Sequence, residues 1–246
     1  MKFIRQFLAS ALGTEKYLQL ISTTYIRMVN AGVYREKYPE LFYLDTIIQP
    51  DFVCIDLGAN VGYYSTRMAH LTNGKIYAVE PVALFRNILE KNLSRFNCSN
   101  VEILPFALGS EEKKIKMGTP VVEGVFRHGL TKVIDDGNDS SIAHTYEVDM
   151  KVPDQLFSNL QRLDYVKCDV EGYEIYIFPH FLKTLERFKP VIQIEISSAE
   201  NRQLISDSLN TLGYKAYGLN EGELELLSSE TYLNYNKGDF YFKTDK

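Results

Sequence analysis

The chain has 246 residues, 45% hydrophobic and 24% charged, a globular balance that argues against disorder, collagen-like repeats and coiled coil. At about 150 residues per domain it suits one large domain or a domain with an extension. Its 27 basic and 32 acidic side chains leave a net charge of -5, so nothing draws a polyanion and no nucleic-acid partner is expected.

Residues 1–37 place apolar side chains at helical spacing (Phe3, Ile4, Phe7, Leu8, then Tyr17, Leu18, Ile21, Tyr25) and carry six basic against two acidic residues. One or two amphipathic helices follow from that pattern. The segment is basic and the remainder acidic, a contrast that permits peripheral membrane contact; a helical layer packed on the main domain is the simpler expectation. No signal peptide and no membrane span is legible. Cys54, Cys98 and Cys168 are too few for a disulfide framework and form no C-x-x-C pair, which points to a reducing, cytoplasmic setting.

From residue 51 short β-rich runs alternate with helical patterns. Strands are predicted at 52–55, 75–79, 101–104, 165–168 and 191–196, with helices over 62–72, along the face Phe85, Ile88, Leu89, Leu93, and along Leu204, Ile205, Leu209, Leu212 up to a capping Gly213. Non-alternating strands separated by helices mean a parallel sheet covered on both faces. The stretch 172–188 reads as a short helical turn, a break, and a helix starting at Pro179. Residues 105–162 are too long for a simple crossover. Strands near 113–117 and 145–150 flank an acidic, glycine-containing patch at Asp135-Asp136-Gly137, so an inserted hairpin or lid is expected. The end of the chain, at 214–217, 223–227 and 239–243, is strand-like, the last two runs suiting an antiparallel edge.

Chemistry concentrates at two strand ends. The first is Val53-Cys54-Ile55-Asp56-Leu57-Gly58-Ala59-Asn60-Val61-Gly62, a buried strand ending in an acid, then a tight turn whose glycines let the backbone approach a ligand at the carboxyl edge of the sheet. Dinucleotide binding would want G-x-G-x-x-G, but the second and third glycine positions hold Asn60 and Tyr63, and no Gly-Lys-Ser/Thr makes a Walker loop. Glu80 closes the next strand, where an acid can accept from both hydroxyls of a ribose. A nucleoside without phosphate-cradling glycines points to S-adenosylmethionine. The second end is Lys167-Cys168-Asp169-Val170-Glu171-Gly172-Tyr173-Glu174, which sets three carboxylates on the same rim. They could take a proton from an acceptor hydroxyl, bind the cofactor's amino group or hold a metal. A magnesium site from Asp169 and Glu195 is conceivable; with no metal-specific spacing, none is expected. His128 and His144 read as bases reaching over the cofactor or, more simply, as surface residues, and Cys168 as a buried strand thiol.

Taken together, Ile55 to Gly62, Val79-Glu80-Pro81, Ala107-Leu108-Gly109, Lys167 to Glu174 and the Pro190 to Ile196 strand resemble FkbM-type S-adenosylmethionine-dependent methyltransferases. The K-x-D-x-E-G-x-E run is the most specific of these pieces. The resemblance implies an α/β, Rossmann-like class I methyltransferase fold: a mostly parallel seven-stranded sheet with an antiparallel last strand and helices on both faces, over residues 50–246 with an insert at about 110–150, after an N-terminal helical extension at 1–49. It implies O-methylation of a hydroxyl or, less often, a carboxyl group; a small molecule or glycan is the expected acceptor, and a catalytically inactive binding module that keeps the cofactor fold is the alternative from a different class. By the same resemblance Gly58, Asn60 and Gly62 surround the methionine portion with Asp56 orienting it, Glu80 holds the ribose, and Phe106 and Ala107 flank the adenine. Asp169 is the first choice of acceptor-side base, with Glu171 and Glu195 beside it. One departure stands out: Pro153 and Asp154 occupy the place where the family has a Leu-Asp opening a helix.

Overall fold

The computed structural model describes residues 11–122, 125–134 and 141–245. The opening apolar run at 3–8 and the Asp135-Asp136-Gly137 patch lie outside the described residues. Two helices come first, α1 (Thr14–Asn30) and α2 (Pro39–Ile47), followed by alternation: β1 (Cys54–Leu57), α3 (Tyr63–Leu71), β2 (Ile76–Val79), α4 (Ala83–Arg95) and β3 (Val101–Leu104). The chain then leaves the main sheet through β4 (Ala107–Leu108), β5 (Lys113–Val122), β6 (Val125–Phe126), β7 (Lys132–Val133) and β8 (Ile142–Lys151). It returns through α5 (Pro153–Leu156), β9 (Tyr165–Cys168), α6 (Glu174–Ile177), α7 (Leu182–Phe188), β10 (Val191–Ile194) and α8 (Ala199–Asn210). The last elements are β11 (Lys215–Asn220), β12 (Glu223–Leu226), α9 (Ser229–Asn234) and β13 (Phe240–Lys243).

The main sheet runs β12-β11-β13-β10-β9-β1-β2-β3. β1 is parallel to β2 on one side and to β9 on the other, and β13 lies antiparallel between β10 and β11. All four residues of β1 and of β9 are buried, as strands covered on both faces require. From β1 the chain first moves outward to β3 and then crosses back to β9. The carboxyl ends of β1 and β9 therefore flank the point where strand order reverses, the place at which open α/β sheets leave a crevice.

Two expectations need correction. The run at 239–243 is not an edge: Phe240, Tyr241 and Phe242 are all buried, and three successive aromatics covered on both faces belong inside a sheet. The edge is β12, with its exposed glutamates, which makes this sheet eight-stranded. Nor does a helix start at Pro179, which sits in a 3-10 turn (Phe178–His180) before α7 opens at Leu182. The departure at Pro153-Asp154 has a plain cause. Pro153 opens α5, and Asp154 accepts from the Thr184 N–H at 2.8 Å, the Thr184 hydroxyl at 2.7 Å and the Lys183 N–H at 3.2 Å, capping α7 from outside.

The long excursion is a second sheet built on the antiparallel β5–β8 hairpin, with β4 parallel to β8 and with β6 and β7 on β5. Helix α1 packs inward through Tyr17, Leu18, Ile26 and Val29 and is tied to α4 by a polar knot. Asn92 Oδ1 accepts from Gln19 Nε2 (2.7 Å) and from the Thr23 hydroxyl (2.9 Å), while its Nδ2 donates to the Ser22 hydroxyl (3.0 Å) and to the Val61 carbonyl (2.8 Å). No helix among the described residues is long and apolar enough to cross a membrane.

Candidate functional site

The turn after β1 is pinned from two sides. Gly58 and Ala59 both donate to the Val79 carbonyl at 3.0 Å, which anchors the turn to β2. At Gly58 the backbone has φ +81°, and a Cβ there would lie 1.9 Å from the Asp169 carbonyl oxygen, so only glycine lets the turn pass the end of β9. Gly62 has φ +93° and faces Leu89 of α4, whose Cδ1 would be 2.5 Å from a Cβ. Both glycines thus serve chain crossing and helix packing. Gly58 also lines the cavity that opens beside the turn, and Gly62 does not.

That cavity, about 280 Å³, lies at the strand-order reversal and includes Asp56, Gly58, Asn60, Glu80, Phe106, Ala107, Asp169 and Glu171 in its walls. Eight of the ten residues singled out in the sequence therefore meet in one place, from positions spread along more than a hundred residues. Gly62 and Glu195 are the two that stand outside it.

Glu80 is its best-defined acid. The side chain is buried, one oxygen accepts from the Asn60 N–H at 2.9 Å and the other from the Val82 N–H at 2.8 Å. Each oxygen keeps a second lone pair. Burial outweighs those bonds and pushes its pKa up to about 7. Asp56 is buried, accepts from the Ser65 hydroxyl, and is pushed up to about 6, again chiefly by burial.

Across the crevice stands the second acidic group. Asp169 is half-buried and raised by burial; Glu171, at φ +53°, is raised to about 8 by burial and by repulsion from Asp169, Glu195 and Glu174. Glu195 follows β10, is exposed, and rises to about 7 through desolvation and the charge of Asp169. None of these three carboxylates makes a side-chain hydrogen bond among the described residues. Glu174 behaves differently: its Oε1 accepts from the Gly172 N–H at 3.1 Å and the Val170 N–H at 3.4 Å, so it shapes the loop that carries the others. The cation among them is Lys167, buried in the cavity wall, 3.3 Å from Asp239 and 5.0 Å above the Tyr64 ring, and held in its charged form by the carboxylates around it. No cluster of three or more metal-ligating side chains occurs among the described residues. The Cys168 thiol is buried and raised well above its ordinary value, as suits a strand thiol and not a nucleophile.

The insert supplies the remaining wall; of the two readings the sequence offered for His128, over the cofactor or at the surface, the structure places it in the cavity wall. His128, Gly129, Thr131 and Val133 line the cavity. Asn60 Nδ2 donates to the His128 carbonyl at 3.1 Å, and His128 Nδ1 lies 2.8 Å from Asn60 Oδ1. These partners are 68 residues apart, and no local signal announces the pair. His144, the other histidine of the insert, is exposed. Tyr63, Tyr64 and Tyr173 also line the cavity.

A doubly wound sheet with a nucleoside-sized crevice at its switch point, an acid closing the second strand and no phosphate loop defines a Rossmann-like α/β protein of the class I methyltransferase type. Comparison with known proteins narrows the class. Residues 56–219 match the methyltransferase FkbM domain, and the chain belongs to that family. S-adenosylmethionine is the methyl donor that goes with this family and fold. Among solved structures, the chain is similar to methyltransferase FkbM from Methylobacillus flagellatus KT, with 14% identity and a TM-score of 0.50, covering 79% of this chain and 44% of that one. It is also similar to precorrin-6y C5,15-methyltransferase from Geobacter metallireducens GS-15, with 15% identity, a TM-score of 0.46 and coverage of 81% and 82%. A curated relative, AMB antimetabolite synthetase AmbE of Pseudomonas aeruginosa, is 35% identical over 85 residues, 33% of this chain and 4% of that protein. The chain thus spans a small fraction of that relative and less than half of the FkbM structure.

Proposed function

We propose that this protein transfers the methyl group of S-adenosylmethionine to a hydroxyl oxygen of a small molecule or glycan. The observation that carries the reading is a single cavity with buried Glu80 on one side and the Asp169–Glu171 pair on the other. Its carboxylates are all raised above their ordinary values, and its lysine is engaged by Asp239. Crowded, under-neutralised carboxylates favour a cationic ligand. When bound, S-adenosylmethionine supplies an electrophilic methyl on a positively charged sulfur, and transfer to oxygen releases a neutral thioether and one proton.

The chain's own residues fit that group. Glu80 keeps lone pairs for two ribose hydroxyls while its bonds to the Asn60 and Val82 N–H groups hold it still. Asp56, fixed by Ser65, shapes the turn at the amino-acid end. Phe106 and Ala107 offer an apolar slot for a base. Asp169 and Glu171 lie where an acceptor hydroxyl would lose its proton, and their raised pKa values bring them toward the range in which a carboxylate is an effective base near neutrality. Glu195 acts from beside the cavity, by repulsion that keeps Glu171 high. Alignment of the reacting atoms supplies the larger share of the rate, since effective molarities reach about 10⁵–10⁸ M against about 10²–10⁴-fold for general-base help. The apolar and aromatic walls also exclude water. Three free, buried cysteines favour a cytoplasmic setting.

Calorimetric titration with S-adenosylhomocysteine, followed by incubation with methyl-labelled donor and host-cell extract, tests the reading. Saturable heat and a labelled product whose new methyl is on oxygen are expected. Absence of heat at millimolar ligand would refute the cofactor assignment, and label on carbon, nitrogen or a carboxylate would refute the acceptor class.

A further inference from the structure

His128 is not a surface residue: it sits in the cavity wall, brought there by the insert. Its ring state follows from geometry. The His128 carbonyl can only accept, so the Asn60 amide that donates to it at 3.1 Å is oriented by that bond and turns Oδ1 toward the ring. Asn60 Oδ1 can only accept, so Nδ1, 2.8 Å away, carries the ring proton. Nε2 is then the nitrogen with the lone pair, and it has no partner among the described residues. The backbone is held as well: Thr131 Oγ1 donates to the His128 carbonyl at 2.9 Å and lies 2.7 Å from the Thr119 hydroxyl on β5, while Phe85 packs edge-on to the ring at 6.0 Å between centroids. Burial favours the neutral ring, pushing its pKa down to about 4.

We infer that His128 is a cofactor-binding residue contributed by the insert: clasped by Asn60 in the Nδ1–H form, it presents the Nε2 lone pair to an N–H or O–H donor of S-adenosylmethionine. This inference rests on the cofactor reading above. Asn60 joins the two halves of the site, since its N–H is bound by Glu80 and its side chain by His128. The ring therefore stands over the turn that would hold the amino-acid end and beside the acid that would hold the ribose. The β5–β8 sheet is in this way a wall of the cofactor site, not an appendage.

The test uses the full-length protein, S-adenosylhomocysteine and 5′-methylthioadenosine, which lacks the amino-acid portion. Removing one hydrogen bond to a bound ligand weakens affinity by about tenfold, so His128→Ala should raise the calorimetric Kd for S-adenosylhomocysteine by that factor. An equal loss with 5′-methylthioadenosine assigns the donor to the nucleoside, and a loss confined to S-adenosylhomocysteine assigns it to the amino-acid end. In the unsubstituted protein, ¹⁵N-imidazole spectra should show Nδ1 protonated and Nε2 bare before titration, with only the Nε2 resonance moving on saturation. That readout does not depend on the variant folding. A variant Kd within twofold of the original, or an Nε2 resonance that ignores a ligand already shown to bind, would overturn the inference while leaving the cofactor reading intact. If the unsubstituted protein itself bound neither ligand, the cofactor reading would fall first.

Discussion

Asn92 and the carboxylate rim are both polar, but the Asn92 side chain has every hydrogen-bonding group matched and the rim does not. Asn92 uses both lone pairs and both amide hydrogens on Gln19, Thr23, Ser22 and Val61; buried amides satisfied in this way fix a packing arrangement. At the rim, Asp169, Glu171 and Glu195 repel one another, make no side-chain hydrogen bond among the described residues, and are pushed toward their protonated forms. The difference teaches where to look for function: an amide matched at every polar atom holds the fold, and carboxylates left unmatched await a ligand.

Substitutions can break that contrast. The largest effect is expected at Asp169→Asn, which removes the proposed base: incorporation of labelled methyl should fall by about 10²–10⁴-fold, with little loss of thermal stability. Unchanged incorporation would move the base to Glu171. Next comes Asn92→Ala. It strands the Val61 carbonyl and three side chains, and should cost about 3 kcal/mol, or about 6–12 °C in Tm for a chain of this size, while the Kd for S-adenosylhomocysteine stays within about threefold. A large loss of affinity with intact Tm would reverse the roles assigned to the two regions. Glu80→Gln keeps the shape but halves the acceptor capacity. Affinity for S-adenosylhomocysteine should fall by about 10–100-fold, read by calorimetry.

The smallest effects are those of pH. Glu80 and Glu195 at about 7 and Glu171 at about 8 stand above the unfolded carboxylate value of about 4. The folded chain therefore holds protons that the unfolded chain releases. The stability linked to them is fully present below about pH 4 and is lost as pH climbs through 7 to 8. The Tm of the ligand-free protein should accordingly decline between pH 5.5 and 8.5. Over the same range the preference for S-adenosylmethionine over S-adenosylhomocysteine should rise by about three- to tenfold as the rim ionises around the sulfonium. A preference that stays flat with pH would show that the rim does not face the sulfur.

Much of the site was legible because strand ends are written locally. Asp56 lies near the end of a short apolar strand and Glu80 and Asp169 directly follow one, and a parallel sheet brings the carboxyl ends of its strands to one edge whatever lies between them. Glu195 has the same sequence signature yet stands outside the cavity, exposed beyond the end of β10. Gly58 has a second neighbour that the sequence did not show: besides lining the cavity, it avoids a clash with the Asp169 backbone. The motif at 167–174 promised three equivalent acids, but Glu174 turns back on its own loop.

By itself, then, the sequence determined the order of strands and helices, the two acidic turns and the family, since hydrophobic period and turn chemistry depend on residues a few positions apart. Tertiary structure alone decided that the 239–243 strand lies inside the sheet, that Asn92 is a structural knot, and that His128 meets Asn60 across 68 residues. Such contacts are fixed by how whole layers pack, and no short-range pattern encodes the distance between two layers.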